Sequence, residues 1–433
     1  MTTKNNIPAG YKYSAVGIIP QEWEVRTFQE LGSMLGTNTL SRDKMNECSG
    51  CAQNIHYGDV LVKYGEVLDC TSMNIPWVNS DCRNANLGTN LQNGDIVISD
   101  TAEDYTVGKA TEVQGVGTKI VLSGLHTIAF RPNVGMFASN FLGYYFNSTI
   151  YRSQLYPLIQ GIKVCSISKK AISNTKLAVP PMAEQRKIAE ILGVWDKAIE
   201  KQSRLIEKLE LRKRALMQRL LTGRTRHPGF TTPWQKVKLG EICKRVTRRN
   251  EENNQNVMTI SAQKGFVSQT DFFNKSVASS TLDNYYLVLK DEFCYNKSYS
   301  NGYPMGAIKR LKEADKAVVT TLYICFSITD KQKLSIDFFE QYCENGEFNQ
   351  GLMKIANEGG RAHGLLNVTP TDFFSLVMLL PTLPEQKAIA KVLTAADDEI
   401  ATHCKKLDAL RLQKRGLMQQ LLTGKTRVKF KIL

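Results

Sequence analysis

"ALMQRLLTGRTR" spans Ala215–Arg226 and "GLMQQLLTGKTR" spans Gly416–Arg427, so one pattern is written twice, 201 positions apart. Working outward, Pro180–Arg226 aligns with Pro381–Arg427 without a gap, and about 20 of the 47 aligned positions are identical. Glu184-Gln185 matches Glu385-Gln386, Ile188-Ala189 matches Ile389-Ala390, and Asp196 matches Asp397. The first copy places Ile188, Leu192, Trp195, Ile199, Ile206, Leu209, Leu216 and Leu220 at intervals of mostly three and four. The second places Ile389, Leu393, Ala396, Ile400, Leu407, Leu410, Leu417 and Leu421 likewise. That spacing predicts a long helix with a coiled-coil seam in each copy. Both copies break the seam at the same places, with Gln202 and His403 at one and Lys213 and Lys414 at another. Polar seam residues lower stability but fix register. Pro precedes each helix, and Gly223 and Gly424 stand where a C-cap glycine belongs. A lone helix cannot bury such a stripe, so the copies are expected to pair with each other. The block between them lets them run antiparallel, with a globular unit at each end.

Before each helix lies a block of similar size with little mutual similarity. The blocks open alike: "IPQEWEVRTFQELG" and "TPWQKVKLGEIC" place Trp23 and Trp234, then Glu30-Leu31 and Glu241-Ile242, at one spacing. Between opening and helix, short apolar runs such as "NGDIVISD", "TKIVLSGLHTIAFRP", "YYLVLKDEFCYNKS" and "KAVVTTLYICFSI" are separated by Gly, Asn and Asp, as strands are. A helix-like apolar segment closes each block. The expected fold class is therefore α+β: two globular domains on twisted β-sheets, at 1–179 and 227–380, joined by two long helices at 180–226 and 381–433. The helices form an antiparallel coiled coil, and the whole is an internal repeat with pseudo-twofold character.

The chain has 433 residues, a net charge of +15 and ten cysteines, with pI near 9.2. An excess of Lys and Arg favours a polyanionic partner, nucleic acid above all. No stretch approaches the roughly 18 apolar residues of a membrane helix. The polar start "MTTKNNIPAGYKYSAVG" has no export signal, so scattered thiols in a cytoplasmic protein are expected.

Strings that resemble catalytic motifs fail on their context. Gly424-Lys425-Thr426 ends a helix instead of starting one, and Gln419 stands where a phosphate loop needs glycine. Val179-Pro180-Pro181-Met182 lacks the polar and aromatic residues that a base-methylating loop uses on a flipped base. Cys48-x-x-Cys51, with His56, Cys70 and Cys82 downstream, lacks a second tight pair, so free thiols are expected and no metal is assigned. His126 and His363 have no nucleophile at diagnostic spacing. No catalytic residue is expected, and the chain reads as a binding subunit and not an enzyme.

"PPMAEQRKIAEIL" and "PTLPEQKAIAKVL", each followed by Leu-Met-Gln-x-Leu-Leu-Thr-Gly-x-Thr-Arg, resemble the specificity subunit of type I restriction-modification systems. "GDIVISDTAEDYTVGKATEV", "LHTIAFRP" and "KSYSNGYPMGAI" are similar to stretches of its target-recognition domains, and the resemblance covers essentially the whole chain. One departure is Ala183, where the second copy has Pro384. The resemblance implies two target-recognition domains reading a bipartite, asymmetric double-stranded DNA site. It also implies two methyltransferase subunits and, for cleavage, two restriction-translocase subunits docked on the helical regions. S-adenosylmethionine, ATP and Mg would belong to those partners, with no cofactor in this chain. Two alternatives stay open: a related system whose partner fuses methylase and nuclease, and a coiled-coil scaffold that does not read DNA.

Phosphates are met by cations and base edges by polar side chains on loops. In the first block the phosphate candidates are Arg42, Lys63, Lys109, Lys163, Lys169 and Lys170, and the base-facing candidates are Asn84, Asn86, Asn90 and His126. In the second, "CKRVTRRN" supplies Lys244, Arg245, Arg248, Arg249 and Asn250. "YNKSYSNGY" supplies Lys297, Ser298, Tyr299, Ser300 and Asn301, and "GGRAHGLL" adds Arg361 and His363. For docking of partner subunits, the helix starts offer Glu184, Gln185 and Arg186, then Glu385, Gln386 and Lys387.

Overall fold

The computed structural model describes residues 7–82, 87–269, 282–358 and 364–429. The chain divides into two compact units, one of residues 1–202 with 406–433 and the other of 203–405. Each unit thus holds one globular block and parts of both long helices, Met182–Leu220 and Leu383–Leu421. Among the described residues no helix is long and apolar enough to cross a membrane.

The first unit is built on a five-stranded sheet in the order Gly32–Leu35, Thr127–Pro132, Ile96–Ser99, Ala110–Gln114, Val67–Asp69. "IVIS" and "TIAF" are buried at every position, which explains why the central strands are continuous apolar runs without alternation. A second sheet pairs Val121–Ser123, Gln53–Ile55, Trp77–Val78 and Met45–Asn46. In the second unit a four-stranded sheet runs Cys243–Arg245, Ile324–Ile328, Phe293–Asn296, Ala307–Arg310. Strand for strand, this repeats the first four positions of the first sheet, although the two blocks share little sequence. Each block also closes the same way. A Ser or Thr N-cap (Ser168, Thr369) starts a short helix, and a strand follows, Lys176–Val179 or Val377–Leu380. That strand pairs antiparallel with the one after the tryptophan, Glu24–Thr27 or Gln235–Lys238, and runs straight into the long helix.

Within each unit the helix segments run antiparallel. In the first unit Asp196 meets Lys414 at 2.5 Å and Glu184, nearer its helix start, meets Arg427, beyond the end of the other helix. In the second, Lys213 meets Asp397 at 2.5 Å and Arg226 meets Glu385. These are the same two pairs exchanged by the 201-residue repeat. The polar seam position read from the sequence as a register device is therefore an ion pair in both units. Each aspartate also accepts from its own block: Tyr144 Oη donates to Asp196 and Gln341 Nε2 to Asp397. Gly223 and Gly424 have φ of 71° and 70°, as helix-ending glycines should. The core of each unit seals helix against sheet. Leu192, Met418 and Leu422 pack with Phe28, Phe130 and Phe146 in the first unit, and Leu393, Met217 and Leu221 with Phe293, Phe326 and Phe339 in the second.

The helix-start signature corrects an expectation. Glu184, Gln185, Glu385 and Gln386 are all fully buried, so they present no face to a partner. Glu184 accepts from both Nε and Nη2 of Arg427 and from the indole of Trp23. Glu385 accepts in the same way from Arg226 and Trp234. Gln185 donates to Pro180 and Met136 carbonyls and accepts from Ala138 N–H. Gln386 donates to Pro381 and Lys333 carbonyls and accepts from Ser335 N–H. Every hydrogen-bonding atom of these four side chains is engaged internally, which is what burial of polar groups demands. Arg186 and Lys387, one step on, are exposed. The Thr-Arg tail of one copy thus locks onto the Glu-Gln start of the other, which is why both ends of the pattern are written twice.

Candidate nucleic-acid interface

Both sheets carry a loop of equal length between the same two strands: residues 100–109 between Ile96–Ser99 and Ala110–Gln114, and residues 297–306 between Phe293–Asn296 and Ala307–Arg310. Both loops lie against the same second element, the turn that precedes the capped short helix. In the first unit Thr101–Ala102 pairs with Cys165–Ser166. In the second, Ser298 bridges to Leu365, and Tyr299 N–H donates to Gly364 carbonyl. Each loop presents one large aromatic to solvent, Tyr105 at 67% exposure and Tyr299 at 64%. Exposed rings offer a stacking face and cations beside them a phosphate contact, a combination suited to nucleic acid.

In the first unit, this surface gathers His126 and Lys163 from the sequence-derived set. His126, in the left-handed region with φ 55°, places Nδ1 3.4 Å from an Asp100 carboxylate oxygen and 3.3 Å from Thr101 Oγ1. Lys163 is exposed at the turn, between Ile162 and Val164, both also exposed. Lys169 and Lys170 are exposed in the first turn of the short helix that follows. Arg42 is drawn elsewhere: it pairs with Asp59 at 2.6 Å and with Glu47. Lys63 donates to Asn74 carbonyl, and Asn90 accepts from Val121 N–H through its carboxamide oxygen. Lys109 is a correction. Its ammonium turns inward to Leu61 carbonyl, which braces the block, and burial holds it below the usual lysine pKa. Asn84 and Asn86 lie outside the described residues.

In the second unit, Lys297, Ser298, Tyr299, Ser300 and Asn301 are brought together on the loop, with Gln263 Nε2 donating to Asn301 carbonyl. Partial burial lowers the Lys297 pKa. Arg361 and His363 lie outside the described residues. The "CKRVTRRN" cluster comes apart. Lys244 and Arg245 are exposed on an edge strand. Arg248 makes two bonds to Glu292 and one to Leu287 carbonyl, while Arg249 donates to Asn284 carbonyl with its guanidinium 5.2 Å from the Tyr286 ring centroid. Asn250 is fully buried and closes the 250–254 turn through both ends of its carboxamide. Asn250 is structural, since it is buried in the turn it closes, while Arg248 finds its counter-charge in Glu292 and stays exposed.

Residues 20–211 match the family described as type I restriction modification DNA specificity domain. The putative type I restriction enzyme MjaX specificity subunit of Methanocaldococcus jannaschii is 26% identical over 449 residues, covering 97% of each chain. The MjaVIII specificity subunit of the same organism is 25% identical over 311 residues, covering 66% of this chain and 70% of the relative. The chain is thus similar to specificity subunits of type I restriction-modification systems along nearly its whole length, and to their DNA specificity domain over residues 20–211. In fold, the chain is similar to the crystal structure of a type I S subunit from M. genitalium, with TM-score 0.52, 14% identity and all of both chains covered. It is also similar to a chain from a structure on complex assembly and conformational transition of the type I system, with TM-score 0.55, 15% identity, and 94% and 99% covered.

Thr101, Tyr105 and Gln263 also belong to this surface, and a search for cations does not find them. The signal that finds Thr101 and Tyr105 is the spacing of the strands: in both blocks ten residues separate the two strands, with a left-handed Gly (Gly108, Gly306, φ 84° and 74°) just before the second. Among the described residues no group of three or more His, Cys, Asp or Glu is placed to hold a metal. Cys70 sits in one apolar cluster and Cys51 with Cys82 in another.

Proposed function

We propose that this chain selects the DNA sequence on which a type I restriction-modification complex acts, one unit reading each half of a split, asymmetric site. The observation that carries the reading is the contrast between scaffold and loops. The two units repeat the strand order, the helix locks and the position of loop and turn, yet fill the loops with unrelated side chains, "DTAEDYTVGK" against "KSYSNGYPMG". A duplicated frame holding two different surfaces is what reading two different half-sites requires. The +15 net charge supplies the sequence-independent attraction to phosphates.

Methyltransferase and restriction subunits would dock on outer helix faces such as those bearing Arg186 and Lys387. S-adenosylmethionine, ATP and Mg would reside in those partners, and the complex would work in the cytoplasm. The test is the adenine methylation pattern of cells expressing this chain with its methyltransferase subunit, against cells lacking this chain. A single split motif that depends on the chain is the expected result. Unchanged methylation would overturn target selection and favour the scaffold role.

A further inference from the structure

Each inter-strand loop is held by a helix of its own unit, through different chemistry. In the first unit, Arg152, on the helix Thr149–Leu155, donates through Nη2 to the carbonyls of Tyr105 (2.7 Å) and Val107 (3.0 Å). Its charge is felt by Asp104 and its guanidinium lies 5.7 Å from the Tyr156 ring centroid, but its Nη1 is enclosed without an acceptor. An enclosed, unpaired guanidinium nitrogen is unfavourable, so the arrangement persists against a local cost. Leu155, one turn on, closes over Gly108, where an added Cβ would come within 2.7 Å of Leu155 Cδ1. Arg152 therefore grips the carbonyl of the same residue whose ring stands out into solvent.

In the second unit, Ser300 and Tyr303 exchange backbone hydrogen bonds around Asn301-Gly302, a tight turn with Gly302 at φ 81°. Tyr303 Oη donates to Glu344, on the helix Ile336–Glu344, at 2.8 Å. Lys309, buried, pairs with the same carboxylate at 2.5 Å, donates to Tyr303 Oη and lies 4.6 Å from its ring centroid. The ring of Tyr303, the residue that closes the turn after Tyr299, is thus pinned.

We infer that Arg152 in one unit and the Tyr303–Glu344 pair in the other are positioning residues for base discrimination, each fixing the inter-strand loop of its own unit. They act through the loop and do not touch DNA. The inference rests on the DNA-reading function proposed above and adds which side chains outside the loop tips control it, and that each controls one half-site alone.

The test uses the full chain assembled with its methyltransferase subunit, acting on duplexes randomised at both half-sites. Arg152→Met should lower discrimination at one half-site by about tenfold, the scale of one base contact, and leave the other as sharp as wild type. Tyr303→Phe, which removes only a hydroxyl, should do the converse. Arg152→Lys, which keeps a donor for the carbonyls, should restore most of the loss. A merely structural role would instead lower methylation of all sequences together with the melting temperature, and that result overturns the inference. So does a Tyr303→Phe complex with both half-sites unchanged. A wild-type complex without sequence preference would remove the DNA-reading function itself, whereas a sharp wild type left intact by all three variants removes only the positioning role.

Discussion

Glu184 and Glu385 are single residues on which two distant segments converge, and the charge balance at each decides how their loss is felt. Glu184 is buried while Arg427 keeps about a third of its side chain exposed. Glu184→Ala should destabilise the first unit by about 3 kcal/mol, because it strips the acceptor from the Trp23 indole and the buried carboxylate from Arg427 at once, leaving Arg427 only its exposed pair with Glu22. A double-mutant cycle with Arg427→Ala in urea unfolding measures the coupling; strictly additive losses would refute the lock. Glu112 offers a second residue-scale test. It is buried on the strand Ala110–Gln114 and accepts from the N–H groups of Asn140 and Gly143 and from Gln114. Burial outweighs these donors and pushes its pKa from 4.5 up to about 7. The folded state therefore holds a proton that the unfolded chain has released, and this contribution falls as pH rises from about 4.5 to 7, then levels off. The span is about 3 kcal/mol. Thermal unfolding of wild type minus Glu112→Gln across that range should slope downward with pH, and a flat difference would contradict it.

At the scale of elements, the sequence's own repetition was the best guide. The heptad spacing, the polar seam positions and the terminal glycines all map onto the two 39-residue helices and their ion pairs. Lys213 and Lys414 were legible because a cation in an apolar seam demands an anion, and Asp397 and Asp196 supply it. The direction in which Glu-Gln faces was not legible: periodicity places a side chain on a helix but says nothing of what lies above the first turn. The shared sheet order escaped for a related reason, since strands such as "IVIS" and "FCYN" need only be apolar and leave no identity to align. Repetition in sequence also hides a difference in structure. Gly424 and Gly223 end identical Leu-Leu-Thr-Gly strings, yet a Cβ on Gly424 would lie 2.4 Å from Pro20 Cδ, whereas one on Gly223 would rest 3.4 Å from the Trp234 ring. Both substitutions to Ala incur the left-handed backbone penalty, about 1–2 kcal/mol. Gly424→Ala should therefore lower the melting temperature clearly more than Gly223→Ala. Equal shifts would mean that the proline yields freely.

At the scale of the whole molecule, the lock pairs are interchangeable, and that has a consequence for how the chain can be cut. The segment 406–433 completes the first unit. Its repeat equivalent, shifted back by 201, is 205–232, and the residues that matter recur there. Lys213 stands for Lys414, Met217 for Met418, Leu221 for Leu422, Gly223 for Gly424 and Arg226 for Arg427. A chain of residues 1–232 therefore carries both halves of the lock, Glu184 with Asp196 and Arg226 with Lys213, but cannot close it on itself, because an antiparallel partner for its single helix is missing. Two such chains can close it twice, in the register that the full chain already uses. The expected outcome is a homodimer in sedimentation equilibrium, with each Glu184 held by the other copy's Arg226. Arg226→Ala should shift it toward monomer, leaving a buried carboxylate uncompensated in each half. If residues 1–232 sediment as a monomer at concentrations where the chain is folded, the two copies of the pattern are not equivalent, and the lock would then depend on something beyond the residues they share.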